Sequence, residues 1–161
     1  MNAQARRAGA GALRRPAGRE PDYRALAELR HRIRRFLTFS EREARAVGIE
    51  PQQHQLLLAL KGLPEDRRPT VGVLAERLQL RHHSVVGLVD RLVAAGLAAR
   101  RPSTEDAREV LLSITASGER VLRRLSLAHQ VELQAAGPAL LEALAAIVPA
   151  RVASGAKRRH E

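Results

Sequence analysis

Residues 70–101 read TVGVLAERLQLRHHSVVGLVDRLVAAGLAARR. Two short apolar patterns stand in this stretch a few residues apart. Thr70 is a good helix N-cap, and Val73 or Leu74, Leu78 and Leu80 are the apolar positions of the short helix it starts. Glu76 falls too late to complete a capping box, so the cap is the threonine alone. Leu78-Gln79-Leu80-Arg81 forms a tight turn, with Gln79 where a glycine is usual. A second helix then carries Val85, Leu88 or Val89, and Leu92 on one face and stops at Gly96. Two short helices across a tight turn are the helix-turn-helix layout. After Gly96 the period changes from helical to alternating. Leu97 to Arg101 is a strand candidate, and Val110, Leu112 and Ile114 alternate with Leu111 and Ser113. The polar, turn-rich segment Pro102 to Arg108 joins the two. A β-hairpin directly behind a helix-turn-helix is a wing.

Working outward, Asp22 after Pro21 caps a long first helix. Its apolar face is Leu26, Leu29, Ile33, Phe36 or Leu37, Ser40, Ala44 and Val47, and it ends at Gly48. Pro51 suits the first position of a second helix that runs to Gly62. On the far side of the hairpin, Thr115 caps a helix with Val121, Leu122, Leu125, Ala128 and Leu133 on one face. Gly137-Pro138 reads as a break, and Leu140, Leu141, Leu144, Ile147 and Val148 as a sixth helix stopped by Pro149. The expected order is α-α-α-α-β-β-α-α: mainly α with a small β-wing, a winged helix-turn-helix lobe (about 50–114) plus a helical dimerisation lobe (about 22–47 and 115–149). The outer helices carry more apolar surface than so small a core uses, and a two-fold partner is the simplest cover for it.

Composition narrows the function. The chain has 161 residues and no cysteine, which excludes a disulfide framework, a cysteine-ligated zinc site and a thiol redox sensor. Aromatics make up 2%, against 24 Leu and 28 Ala, so a large sheet is not expected. The net charge of +11 calls for a polyanionic partner. Arginine supplies 26 of the 28 basic residues; arginine suits phosphate binding, and a GC-rich coding sequence would give the same excess. Much of the charge is terminal. Residues 1–20 hold five Arg and one Glu, a net +4, and read as a disordered basic arm. Residues 150–161 hold four basic groups and Glu161, a net +3, and read as a basic tail. The chain shows no apolar run of membrane-spanning length, the arms lack bulky apolar residues to insert into a bilayer, and a cytoplasmic protein is expected.

The run from Leu74-Ala75-Glu76-Arg77-Leu78, through Val89-Asp90-Arg91-Leu92-Val93-Ala94-Ala95-Gly96-Leu97, into Arg101-Pro102-Ser103-Thr104-Glu105-Asp106-Ala107-Arg108 and Leu112-Ser113-Ile114-Thr115-Ala116-Ser117-Gly118, resembles the MarR family of transcriptional regulators. The likeness covers about residues 22–149, with its parts in order and at the family's spacing. It implies a homodimer that binds double-stranded DNA at a near-palindromic operator, with recognition helices in successive major grooves about 34 Å apart. It also implies a small phenolic or anionic effector that releases the DNA, so the expected role is that of a repressor.

Positions can be assigned on that expectation. With Val85, Leu88, Val89 and Leu92 turned to the core, Arg81, His82, His83 and Ser84 lie at the N-terminal end of the recognition helix, where side chains reach bases and phosphates. Val86 suits a thymine methyl. Gly87 stands where many relatives carry an arginine and contributes no side chain. Asp90 repels phosphate unless an arginine pairs with it. Arg100 and Arg101 suit the DNA backbone. By the resemblance, Arg108 enters the minor groove and Asp106 braces the wing. For an effector, His31, Arg35, Phe39 and His54 are the polar and aromatic candidates near the first, second and fifth helices. No metal and no cofactor is expected, because neighbouring residues such as His82 and His83 diverge by about 100° on a helix. No nucleophile elbow, phosphate loop or metal-binding helix motif points to an enzyme. Between 65 and 110 the chain has eight basic and seven acidic residues, so that lobe is nearly neutral. The alternative to specific DNA binding is a dimeric winged-helix protein-interaction module.

Overall fold

The computed structural model describes residues 20–106 and 109–148. Residues 1–19 of the basic arm, the basic tail and Arg108 lie outside the described residues. Asp22 opens α1 (Tyr23–Ala46), its Oδ1 accepting from the Ala25 N–H at 2.9 Å. Gly48 closes it at φ +82°, a left-handed conformation that costs glycine nothing. α2 (Pro51–Lys61) has its proline in the first turn, and Gln53 reaches back to accept from the Glu50 N–H at 2.8 Å, a reciprocal cap not expected from the sequence.

Thr70 caps α3 (Val71–Leu78) through Val73, as expected. The turn into α4 (His82–Ala94) puts Gln79 at φ 53°, the left-handed conformation of the glycine it replaces. The cost for a non-glycine residue is on the order of 1 kcal/mol. It is offset where the Leu80 N–H bonds the Ala75 carbonyl and closes the turn. β1 (Ala98–Pro102) and β2 (Val110–Ile114) pair antiparallel, Ala98 opposite Ile114 and Pro102 opposite Val110. Proline sits at the last ladder position, where a missing N–H does least harm.

One core joins these elements. Leu56 and Leu57 of α2, Leu74 of α3, Val85, Leu88, Val89 and Leu92 of α4, Leu112 of β2, and Leu122 and Leu125 of α5 (Ala116–Ala145) are buried together. All four α4 positions assigned to the core are there.

The C-terminal region departs from expectation. Gly137-Pro138 does not break the chain, and α5 is one helix of 30 residues with Pro138 inside it. No separate sixth helix exists among the described residues, so the order is α1-α2-α3-α4-β1-β2-α5. A single proline removes one backbone bond and bends a helix, and a helix packed on a neighbour can absorb that loss. α5 packs against α1, which supplies such support. The register of its buried face also differs from expectation: His129, not Ala128, is the buried residue after Leu125.

Candidate nucleic-acid interface

The outward end of α4 is built by its own N-terminus. Arg81 is the N-cap residue, but its side chain makes no cap bond, and the first turn holds no acidic residue. The free N–H groups and the positive end of the helix dipole are therefore left for an external anion. Arg81, His82, His83 and Ser84 are all exposed around that end, and Val86 is half-buried beside them. The core residues Val85 and Leu88 hold this face outward.

Asp90 is neutralised. Its Oδ1 accepts from Arg100 Nη2 at 2.6 Å, so Arg100 works first as the aspartate's partner rather than as a free phosphate ligand. Arg101 is exposed and carries no such tie among the ion pairs of the described residues. The gap at Gly87 is also filled. A Cβ built on Gly87 would lie 3.6 Å from Nη1 of Arg91, so the guanidinium of the residue one turn later covers the glycine. Arg91 was not among the expected contacts. The signal was available: a glycine followed four residues later by an arginine places a long cation over a bare helix surface.

The wing is anchored at its base. Ser103 is buried, and its Oγ accepts from the backbone N–H groups of Glu105 and Asp106 at 3.1 and 3.2 Å. The Ser103 N–H donates to the Glu109 carbonyl at 2.9 Å, closing the turn on the other strand. Asp106 is exposed at this turn, and Arg108, expected in the minor groove, falls outside the described residues.

The four effector candidates separate into two groups. His31, Arg35 and Phe39 line one open cavity of about 420 Å³ on α1, together with Arg34, Thr38, Arg42 and Glu132. Three guanidiniums and a histidine against one carboxylate make it a cationic recess. The Arg42 guanidinium stands 5.3 Å from the centre of the Phe39 ring. His54 is not in this lining. It is buried on α2, with its ring 4.9 Å from that of His129. His129 in turn meets the edges of Phe36 and Phe39, each at 5.7 Å, and its Nδ1 lies 2.5 Å from the Leu125 carbonyl. Phe39 thus belongs to both the cavity and the ring cluster. Burial, and then the neighbouring His129, lower the His54 pKa from 6.5 to about 4. His129 lies four residues after Leu125 on the buried face, where the sequence analysis had named Ala128 instead. Among the described residues, no three His, Asp or Glu side chains gather to hold a metal ion. None of the described helices is long and apolar enough to cross a membrane.

Comparison with known proteins agrees with this architecture. A MarR family model matches residues 47–109, from the end of α1 to the wing. Among solved structures, a MarR family transcription regulator is 21% identical with a TM-score of 0.65, covering 85% of this chain and 93% of its own. A transcriptional regulator from Thermotoga maritima is 27% identical with a TM-score of 0.55, covering 66% and 72%. A point mutant of Staphylococcus aureus MepR, solved bound to an oligodeoxyribonucleotide, is 19% identical with a TM-score of 0.59, covering 86% and 92%. No curated protein sequence matches the chain. The family's match runs from the end of α1 through the helix-turn-helix into the wing, and a solved MarR family structure shares the fold on either side of it, so the chain is similar to the winged helix-turn-helix proteins of the MarR family.

Proposed function

We propose that the protein is a homodimeric transcriptional regulator that binds a near-palindromic double-stranded DNA operator and represses until a small anionic effector releases it. The observation that carries the reading is the α4 N-terminus: uncapped, free of acidic residues in its first turn, and ringed by exposed Arg81, His82, His83 and Ser84. The Asp90–Arg100 pair removes the one carboxylate on this helix that would repel a phosphate. Arg91 over Gly87 restores a cation to the middle of the reading face. The MepR–oligodeoxyribonucleotide complex supports the same reading, since that protein shares the fold. Recognition helices enter successive major grooves, and Arg108 at each wing enters the flanking minor groove. The cationic cavity on α1 takes the effector, held by Arg35, His31 and Arg34, with Phe39 against its apolar part.

Selection of bound sequences from a random double-stranded pool tests this directly. An inverted repeat is the expected product; a pool that stays random would favour the protein-interaction module. On the selected site, Arg108→Ala weakens binding by roughly 1–3 kcal/mol, the range of a specific groove contact. A mobility-shift titration with unchanged affinity would remove Arg108 from the interface.

A further inference from the structure

The loop between α2 and α3 carries two consecutive arginines that pair with different elements. Arg67 Nη2 donates to Glu76 of α3 at 2.8 Å. Arg68 reaches forward to the hairpin. Its Nη1 lies 3.2 Å from Glu105, its Nη2 lies 2.6 Å from Glu109, and the same Nη2 donates to Ser103 Oγ at 2.5 Å. Next to it, the Pro69 carbonyl accepts from the Leu112 N–H at 2.8 Å, fastening the loop to β2.

We propose that Arg68 is the positioning residue of the wing: a strut from the helix-turn-helix side that sets the hairpin's angle and thereby where its tip meets DNA. Three acceptors from both limbs of the wing turn converge on one guanidinium. An isolated exposed ion pair is worth little, but a guanidinium held by three groups at once restricts how the turn can move. The pairing β1–β2 fixes the two strands to each other, while Asp90–Arg100 and the burial of Leu112 tie the hairpin to the helices away from its turn. Arg68 ties the turn itself and, with the Pro69–Leu112 bond, sets its angle. The strut also offsets the charge of two wing carboxylates, Glu105 and Glu109.

The effect on DNA rests on the proposed regulator function, and the test separates the two. Two variants, Arg68→Met and Glu109→Gln, are compared with wild type by amide hydrogen exchange over residues 103–112. They are also compared by the affinity ratio between the selected operator and one with altered flanks. Simple charge bookkeeping predicts opposite effects on overall affinity, since one variant removes a cation and the other an anion. The strut predicts the same effect on the ratio. Both variants should speed exchange in the wing and lower the flank ratio by about five- to ten-fold, with little change in melting temperature. A ratio and an exchange rate at wild-type values in both variants would overturn the proposal. So would a loss confined to Arg68→Met, which would make Arg68 a direct DNA contact. If wild type selects no sequence, the regulator reading fails instead, and wing exchange alone decides the role of Arg68.

Discussion

Gly118 shows how a single position can be dictated by its neighbours' backbone. A Cβ there would lie 2.0 Å from the Leu97 carbonyl oxygen and 2.8 Å from Cγ2 of Ile114. The carbonyl cannot retreat freely, because the Thr115 N–H is bonded to it at 3.1 Å, and Thr115 itself holds the Gly118 N–H and the Gly96 carbonyl. Gly118→Ala is therefore expected to destabilise the protein by about 1–3 kcal/mol, the usual range for overpacking. A thermal melt unchanged from wild type would show that the contact relaxes. His54 makes a different demand. In the unfolded chain it takes up a proton near pH 6.5, and in the fold only near pH 4. The unfolded state thus binds more protons between these values, so stability is full above about pH 6.5 and falls as pH drops toward 4. The loss has an upper bound of about 3 kcal/mol. Urea unfolding at pH 7.5 and 4.5 measures it, and His54→Leu should flatten the difference. An equal slope in that variant would place the proton uptake on another group.

Among the elements, α5 is the one whose local signals and final state conflict. Pro138 leaves the Gln134 carbonyl without its helical donor, yet the helix continues to Ala145. Replacing it tests how much the packing on α1 has to overcome. Pro138→Ala should stabilise the protein, by up to about 3 kcal/mol, since proline in a helix interior costs on that order. A lower melting temperature would mean that the bend itself is needed for the helix to follow its neighbour. Other elements agree with their local signals throughout. Asp22, Thr70 and Thr115 each cap the helix expected of them, with side-chain oxygens accepting from the third residue on. The α4 face follows helical periodicity, and its buried residues are the ones the spacing named.

For the molecule as a whole, the two outer helices leave apolar side chains uncovered. Leu141 is 67% exposed, and Leu37, Ile33, Leu133 and Leu144 are each at least 40% exposed on α1 and α5. Apolar surface of this kind on long helices points to a partner copy, in keeping with the proposed homodimer. Leu141→Asp should shift the protein toward monomer in sedimentation equilibrium and weaken operator binding together with it. A monomeric wild type that still selects an inverted repeat would contradict this arrangement.

The helix-turn-helix, the wing and the family resemblance were legible in residues 70–118. Each depends on interactions within a few positions: a cap, a turn, a switch in period. Local sequence carries such information because the contacting groups are neighbours along the chain. What the sequence could not supply came from groups far apart in it. Continuity of α5 past Pro138 reflects its packing on α1. The division of His54 from His31 and Arg35 follows from which face each helix turns inward. Arg68 finds its partners 35 to 41 residues later in the hairpin. No periodicity encodes those meetings, because they exist only once the separate elements have packed around one core.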